Sequence, residues 1–368
     1  MKKIIITEDH PKMRLDVFVS QSLGVSRSKA VELIKSQALL LNEKICSKAS
    51  VNVGMGDCIE IKEKSGEITE KCMDSLSLEE LQASKRELGE IKILHQDDEI
   101  LLLNKPPNLV IHNAPSVKEA TLLDWLKCTQ QPLDSLSANM RYGIVHRLDK
   151  FTSGILAVAR SQHAHTILSD QLKTRQMGRY YLAVITPPLK SDTLIECYMG
   201  RSPKNRLKMT KLADCQSHFL QTNQAQATQS LEKHPRQIPW RYSKSAFVKL
   251  LDSKDAKLEL IAVKLFTGRT HQIRVHLESI NRHILGDTLY GSMCNHGYGG
   301  RILLHAYIMY LYHPKYLQQA TFLQNDLAPS IFKAPLFADM LDFLEEFFDK
   351  DSLHEVLDTE YILERFYL

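Results

Sequence analysis

The sequence predicts an α+β fold with one large domain and one small one. Its 368 residues exceed the usual length of a single domain, and 43% hydrophobic with 24% charged residues is the composition of a globular protein. Along the chain, strand-like apolar runs alternate with segments whose apolar residues recur at helical spacing. A polar stretch over residues 63–90 is predicted to be a linker between the two domains.

The small domain is predicted over residues 12–62. Ser26 is placed to cap a helix with an apolar stripe, which leaves Arg27 and Lys29 to face outward. The LLLNEKI stretch is typical of a strand entering a turn, and a Gly-Asp turn introduces a second strand, GDCIEI. We therefore expect a compact helix-and-strand module with one basic face.

This module resembles the S4-type RNA-binding domain in its RLD opening, its SRSKA helix start and its VGMGDCIEI close. The resemblance implies that the basic face binds RNA, with Arg27 and Lys29 among the contacts. Gln37 and Glu43 stand where that domain usually has glycines flanking its first strand, so the turn geometry there cannot rest on the positive φ of a glycine. A solvated helix face on a structural domain is the alternative interpretation.

The large domain is predicted over residues 91–348. It opens with apolar runs around an Asp-Asp turn, as a hairpin entering a sheet does. Residues from about 213 to 240 are rich in Gln, Ser and Thr and are predicted to form an inserted surface loop. Apolar residues at helical spacing from Phe337 to Phe348 predict a final helix. Residues 349–368 form a C-terminal extension for which no pattern predicts a role.

Composition also restricts the environment of the protein. The opening MKKIII is too short for a secretory hydrophobic segment, and no later run approaches membrane-spanning length. Seven scattered cysteines, none spaced as CxxC, suggest neither a disulfide framework nor a thiolate zinc site. We expect a cytoplasmic protein. A net charge of +4 is too mild to predict a nucleic-acid partner by itself.

The most informative segment is GIVHRLDKFTSGILAVAR, residues 143–160, in which a polar cluster lies between two apolar runs. Its simplest interpretation is a turn in which Asp149 caps a backbone amide and Gly154 supplies an unusual φ. Other segments of the same body make a catalytic role the better interpretation. They are RYYLA (residues 179–183), LFTGRTHQIRVHLESINRHILGDTLYG (265–291) and RILLHA (301–306).

This ordered set resembles the RluA family of RNA pseudouridine synthases. The NKPP and GRSPKNRLKM stretches and the pair Gly286 and Asp287 add to the resemblance, which extends from Ile91 to about Phe348. It implies a large mixed, mostly antiparallel sheet flanked by helices, with a catalytic cleft along it. It also implies an enzyme that isomerises uridines in RNA. The attached small domain favours large-subunit ribosomal RNA, and transfer RNA is the alternative.

The chemistry of that reaction indicates which residue types are needed. Turning uridine into its C-glycoside breaks the N1–C1′ bond and rejoins the base through C5, without redox change or net water, so no cofactor is expected. A carboxylate must stay ionised in a closed pocket, to attack the nucleotide or to hold the cleaved sugar. Asp149 is the candidate. Burial disfavours a charged aspartate, so a permanent cation is needed nearby.

The resemblance assigns that cation to Arg274. His271 and Arg274 are three residues apart on a helix expected to be capped near Thr270, so both can point toward one pocket edge. The resemblance assigns stacking of the flipped base to Tyr181, whose hydroxyl is also a candidate base for the C5 proton. Tyr180 is the alternative, with packing as its simpler role.

The remaining predicted contacts are with RNA. The resemblance has Arg147 enter the RNA helix where the target base departs, and a structural ion pair is the alternative role. His146 beside it is a further predicted contact. Arg201, Lys204 and Arg206 are predicted to contact phosphates, although a solvated charge run is nearly as good an interpretation.

Three rival interpretations apply to these residues. A metal hydrolase would use His146, His271 and His276, but the last two are five residues apart and share no helix or strand face, so no metal site is predicted. A glycosidase needs paired carboxylates, and no second one accompanies the two main motifs. A noncatalytic RNA-binding or ribosome-assembly protein is the third possibility. A monomer without membrane contact is expected.

Overall fold

The computed structural model describes residues 2–6, 13–23, 27–36, 39–61, 91–112, 119–129, 142–214, 240–291, 298–319 and 328–366. The chain divides into two compact units, Met1–Ser75 and Leu76–Leu368. The predicted linker, residues 63–90, and most of the predicted insert lie outside the described residues. No helix in the described ranges is long and apolar enough to cross a membrane.

The small unit contains a four-stranded antiparallel sheet, in the order β1-β6-β3-β4, and a two-stranded ribbon of β2 and β5. Leu15 and Phe18 of the first helix and Ile34 of the second are buried with sheet residues in one core, which stabilises the unit. The elements are β1 (Lys2–Ile5), β2 (Met13–Arg14), α1 (Leu15–Leu23), α2 (Arg27–Lys35), β3 (Leu39–Leu41), β4 (Lys44–Ile45), β5 (Asn52–Val53) and β6 (Cys58–Ile61).

The turn between β3 and β4 is formed without glycine. Asn42 and Glu43 adopt φ values of 50° and 66°, so two residues with side chains take up the positive φ here. The Asn42 side chain donates to the Asp57 carboxylate at 2.8 Å and accepts from the Cys58 amide at 2.7 Å. These bonds stabilise a backbone conformation that glutamate rarely adopts.

The predicted helix of the small unit is present as α2, and the predicted Gly-Asp turn precedes β6, with Gly56 at a φ of 86°. Ser26 and the side chains of Arg27 and Lys29 lie outside the described part of the chain. The RNA contacts of Arg27 and Lys29 therefore stay predictions.

The large unit is built on one mixed sheet, which confirms the predicted fold class. The strand order is β12-β11-β13-β14-β10-β16-β9-β8-β7, and β15 pairs with β10 and β17 with β16. Among the described strands, only β16 and β9 pair in parallel. The strands are β7 (Lys92–Gln96), β8 (Ile100–Lys105), β9 (Ser153–Ala159), β10 (Gly178–Thr186), β11 (Thr193–Arg201), β12 (Met209–Asp214), β13 (Arg241–Asp252), β14 (Glu259–Leu265), β15 (His283–Ile284), β16 (Leu304–Leu311) and β17 (Ser330–Lys333).

Helices cover both faces of this sheet. Successive residues of β10 point to opposite faces and therefore pack in two different cores. Tyr181 and Ala183 pack in the core that contains residues of α3, α4 and α5. Tyr180 and Leu182 pack in the core formed with α7, α8 and α9. The helices are α3 (Leu122–Thr129), α4 (Gln162–Thr174), α5 (Gln272–Glu278), α6 (Pro314–Gln319), α7 (Ala338–Phe347), α8 (Lys350–Val356) and α9 (Thr359–Glu364).

The C-terminal residues belong to the large unit's core. The predicted final helix is α7, and Leu353 of α8 and Ile362 of α9 are buried in the same cluster as α7. Asp349 and Asp358 cap these two short helices through their carboxylates. Residues on both sides of the predicted boundary at residue 348 therefore pack in the same core.

Candidate active site

Asp149 lies in a turn that leads into β9. Its carbonyl accepts a hydrogen bond from the Thr152 amide at 3.1 Å, and Gly154 follows with a φ of 112°. A Cβ on Gly154 would lie 2.1 Å from the carbonyl oxygen of Ala306, its parallel neighbour in β16. Glycine is thus required both for the backbone angle and for the close approach of the two strands.

Lys105 ties this turn to the end of β8. Its ammonium group is buried and donates to the carbonyls of Pro106, Leu109 and Lys150 at 2.7, 3.0 and 3.2 Å. Burial lowers the pKa of Lys105 to about 7, while the charge of Asp149 opposes that shift. Because Lys150 follows Asp149 directly, the NKPP segment helps to position the carboxylate.

The segment before α5 is held by Gln272, whose buried amide has partners on both atoms. Its Oε1 accepts from Thr267 Oγ1 at 2.7 Å and from the Arg269 amide at 3.0 Å. Its Nε2 donates to the Lys244 carbonyl and to Ser245 Oγ. These bonds attach the TGRT loop to β13 and so fix the position of the loop beside the pocket.

The helix itself begins one residue later than predicted, at Gln272. His271 is its N-cap residue, with a φ of 56° and no side-chain capping bond. A histidine in the left-handed region is strained, and here its ring is directed toward the pocket instead of the helix end. His271 Nε2 lies 3.9 Å from Asp149 Oδ2, so the predicted convergence of His271 and Arg274 is observed.

Arg274 lies between two carboxylates. Its Nε and Nη2 each donate to Asp287 at 2.7 Å, and its Nη1 lies 3.8 Å from Asp149 Oδ2. Burial opposes the charge of Arg274, but the bonds to Asp287 and the two carboxylate charges outweigh it and raise its pKa. Asp287 also accepts from the amides of Leu289 and Tyr290. The guanidinium is thus held in place by Asp287 and presented to Asp149.

Tyr290 connects the same cluster to β12. Its hydroxyl accepts from the Met209 amide at 2.7 Å and lies 2.9 Å from His271 Nδ1. Its ring packs against the Arg274 guanidinium, 4.7 Å from ring centre to Cζ. Burial lowers the pKa of His271 although Asp149 opposes this, so the imidazole is neutral at pH 7. The hydroxyl of Tyr290 therefore orients a neutral ring beside Asp149.

Tyr181 lines the same pocket, and its ring is 4% exposed. Burial raises its pKa to about 12, although Arg179 acts in the opposite direction. Tyr180 points to the other face of the sheet, where its ring lies against Phe366 and the Lys264 ammonium. The structure therefore favours Tyr181 over Tyr180 as the aromatic residue of the site.

The pocket opens into a larger groove of about 1280 Å³. The two share Arg147, Arg179 and the Gly268–Thr270 segment. None of the described residues that line the groove is acidic. Its basic residues are Arg147, Lys173, Arg175, Arg179, Arg201, Arg206, Arg241 and Arg269. Such a surface attracts a polyanion.

Lys204 and His146, two of the predicted RNA contacts, differ from the basic residues of the groove in exposure or position. Lys204 is exposed in the turn between β11 and β12 but does not line the groove, unlike Arg201 and Arg206. His146 is 9% exposed, and its Nε2 accepts from the Ala157 amide at 2.9 Å. Burial lowers the pKa of His146 to about 3, and Arg179 adds to this effect. His146 is thus a neutral residue held by the backbone of β9, and it also lines the groove, so its predicted RNA contact stays a prediction.

Comparisons with known proteins match both units. The family model described as RNA pseudouridylate synthase matches residues 99–279, and the S4 domain model matches residues 13–59. An RNA pseudouridine synthase of Helicobacter pylori J99 is 42% identical over 371 residues, which is 100% of this chain and 99% of that protein. The chain belongs to the RNA pseudouridine synthase family.

Two further relatives carry a more specific name, ribosomal large subunit pseudouridine synthase D. The one from Neisseria meningitidis is 31% identical and the match covers 85% of this chain and 76% of that protein. The one from Xylella fastidiosa is 30% identical, with 78% of each chain covered. As a pseudouridine synthase, this chain is an isomerase that converts uridine to pseudouridine in RNA, and it carries an N-terminal S4 domain.

The geometry also separates this pseudouridine synthase from the two enzyme rivals. The three histidines form no common site, because each has a different partner. His146 Nε2 accepts from the Ala157 amide, His271 Nδ1 lies 2.9 Å from the Tyr290 hydroxyl, and His276 Nε2 lies 2.9 Å from Ser243 Oγ. Among the described residues, the side chains close enough to share a metal ion are His95, Asp97 and His313, near the β7–β8 turn. There Asp97 Oδ2 lies within hydrogen-bond distance of both imidazoles.

A glycosidase needs a second carboxylate that is free to exchange a proton with the substrate. Asp287 is close to the site, but it is 1% exposed and accepts hydrogen bonds from Arg274 and two backbone amides. A carboxylate so occupied cannot donate or accept a substrate proton.

Sequence reasoning missed Asp287, Tyr290 and Arg179 as members of the site. In the sequence, Asp287 stands out only as part of a Gly-Asp pair, and Arg179 only as the first residue of RYYLA. No local pattern signals an ion pair across 13 residues or a cation at the wall of a pocket. The close approach of Gly268 to Arg179 is likewise a tertiary feature, since a Cβ there would lie 2.6 Å from Arg179 Nη1.

Proposed function

We propose that this pseudouridine synthase modifies large-subunit ribosomal RNA, with Asp149 as its nucleophile. The observation that carries the proposal is the convergence of Asp149, Arg274 and Tyr181 in one pocket that opens into a groove whose described residues include many cations and no acid. A pocket of this composition suits a single flipped nucleotide, and the groove suits the chain on either side of it.

In the proposed mechanism the target uridine leaves the RNA helix and its base stacks on Tyr181. Arg147, which is exposed at the border of pocket and groove, fills the gap left in the helix. Its planar cation can stack on bases and bind phosphate oxygens.

Asp149 then attacks the nucleotide or holds the cleaved sugar, while the N1–C1′ bond breaks. Arg274 stabilises the negative charge of Asp149 before the attack and after its release. The base turns, C5 bonds to C1′, C5 loses its proton and N1 gains one, so that atoms and charge balance. In this scheme the Tyr181 hydroxyl relays the C5 proton: its oxygen receives that proton while its own O–H proton passes to solvent, and N1 takes a proton from solvent, so the neutral phenol is regenerated. The raised pKa of Tyr181 disfavours a free phenolate, which is why the transfer is written as a relay.

The choice of ribosomal RNA rests on two observations. Relatives from Neisseria meningitidis and Xylella fastidiosa are named for the large ribosomal subunit. The S4 domain at residues 13–59 adds a second RNA-binding module to the catalytic unit. A tethered second module raises the effective concentration of the enzyme at a large RNA that both modules contact.

The test is a map of pseudouridines in total RNA from cells with and without the gene, read as carbodiimide-dependent stops of reverse transcription. We expect one or more large-subunit sites to vanish without the gene and to return with the wild-type protein, but not with Asp149→Ala. Loss of transfer RNA sites alone would move the target to transfer RNA. Unchanged sites in both RNA classes would contradict the proposal.

A further inference from the structure

Arg179 is a buried cation for which the described residues supply no hydrogen-bond or ion-pair partner. Its side chain, on the central strand β10, is 8% exposed. Within the described ranges no hydrogen bond or ion pair is made by its guanidinium, and its Nε is fully enclosed without an acceptor. The neighbouring titratable side chains, His146 and Tyr181, are both neutral at pH 7, and no carboxylate of the described residues balances the charge.

This state is energetically unfavourable. A guanidinium has five N–H donors and stays charged, so its burial without an acceptor costs free energy that packing does not return. Burial accordingly lowers the pKa of Arg179. The fold nevertheless leaves room for this group, because Gly268 lacks the side chain that would collide with Arg179 Nη1 at 2.6 Å. A buried unpaired cation that the surrounding structure accommodates indicates a site for an anionic ligand.

The position of Arg179 identifies the part of the substrate that reaches it. Arg179 lines the pocket of Asp149 and Tyr181, and it also lines the basic groove. On β10, Arg179 and Tyr181 are two residues apart and therefore on one face of the sheet. An RNA strand that runs along the groove and sends one base to Tyr181 must turn its backbone at this point.

We propose that Arg179 binds the phosphodiester next to the flipped uridine and so positions its ribose against Asp149. The inference rests on the proposal that a flipped nucleotide of RNA occupies this pocket. A phosphate is the suitable ligand because it carries a permanent negative charge and two oxygens that match the guanidinium fork. The neutral carbonyls of uracil would leave the buried charge uncompensated.

The first test compares stability with activity in Arg179→Met, in the full-length protein. Methionine fills similar space without a charge, so the melting temperature is expected to stay equal or to rise. Pseudouridine formation at saturating RNA is expected to fall at least tenfold. Lys264→Met is the matched control, because Lys264 is a partly buried cation of the adjacent strand on the Tyr180 face. Its activity should equal that of the wild type. A melting temperature several degrees lower in Arg179→Met would assign Arg179 a structural role and overturn the proposal.

The second test identifies the ligand. A short RNA carrying the uridine that the wild-type protein modifies, from whichever RNA class contains it, is synthesised with an uncharged methylphosphonate on either side of that uridine. One of the two replacements should slow the wild-type enzyme at least tenfold and leave the slow Arg179→Met variant unchanged. Arg179→Lys, which keeps the charge but loses the fork, should be intermediate and should still respond. Equal slowing of wild type and Arg179→Met by both replacements would overturn the proposal.

These outcomes are separable from failure of the proposed target. If the modified uridine belongs to transfer RNA, the ribosomal assignment fails while both tests of Arg179 proceed on that RNA. The stability comparison requires no RNA at all.

Discussion

Arg274 donates two hydrogen bonds of 2.7 Å to Asp287, and its remaining Nη1 lies 3.8 Å from Asp149. One carboxylate is therefore buried to hold the guanidinium, and the other stays 20% exposed at the pocket. The two aspartates have different environments and hence different roles. The buried pair is structural, and Asp149 is the group available to a substrate.

Asp287→Asn should reduce both stability and activity, because it leaves Arg274 charged and buried with a neutral partner. Breaking such a pair costs about 3–5 kcal/mol of unfolding free energy. Urea unfolding measures the loss, and pseudouridine formation at saturating RNA should fall because Arg274 is no longer held toward Asp149. Wild-type activity in a folded Asp287→Asn protein would show that Asp287 does not position Arg274.

Tyr181→Phe should preserve stacking of the base and slow removal of the C5 proton. The diagnostic measurement compares the rate of pseudouridine formation from uridine that carries hydrogen at C5 with the rate from uridine that carries deuterium there. In Tyr181→Phe proton removal becomes rate-limiting, so a primary isotope effect should appear or increase. Tyr181→Leu should in addition weaken binding of the flipped base by about 1–3 kcal/mol, roughly 5- to 150-fold. The same isotope effect in wild type and Tyr181→Phe would exclude the hydroxyl as the base.

Arg206→Ala should make RNA binding less dependent on salt. If Arg206 neutralises one phosphate in the groove, its loss should reduce the slope of log K against log salt concentration by about 0.7–0.9. Lys190, an exposed lysine between β10 and β11 that does not line the groove, is the control. Identical slopes for Arg206→Ala and Lys190→Ala would contradict a role of the groove in phosphate binding.

Stability should fall as the pH decreases below about 6.5, because three histidines are buried in the neutral form. Burial lowers the pKa of His146 and His305 to about 3 and that of His276 to about 4. In the unfolded chain these groups bind protons near pH 6.5, whereas the folded protein does not until the pH is far lower. The stabilisation is thus complete above pH 6.5 and is lost toward pH 3–4.

Each of these histidines should contribute a slope of about 1.4 kcal/mol per pH unit within that window. Urea unfolding at pH 7.5, 6.0 and 5.0 measures it before most carboxylates begin to titrate. An unfolding free energy that stays constant from pH 7.5 to 5.0 would show that these histidines are not buried as neutral groups.

The motifs of the proposed active site could be recognised in the sequence because each is local. HRLD, RYYLA and HQIR place Asp149, Tyr181 and Arg274 on three separate segments, and the fold brings these segments to one pocket. The orientation of neighbours was harder to predict. His146 and Arg147 are adjacent in an extended segment, where one side chain turns inward and the next outward, and the sequence does not distinguish them.

Features that depend on tertiary packing were not predictable. α8 and α9 have seven and six residues, too few for a helical period to be recognised, so their place in the core was missed. The ion pair of Asp287 with Arg274 spans a loop and a short strand. Arg179 has no partner among the described residues because of the packing around it, and the sequence alone does not reveal that packing.

The most direct test of the central claim is pseudouridine formation by Asp149→Asn on an RNA that the wild-type protein modifies, with RNA affinity measured on the same samples. Asparagine preserves the size of the side chain, and Asp149 makes no close side-chain hydrogen bond among the described residues, so folding and RNA binding should be retained. We expect no detectable product even with enzyme in excess over RNA. Product formed by Asp149→Asn at a rate near that of the wild type would contradict the assignment of Asp149 as the nucleophile.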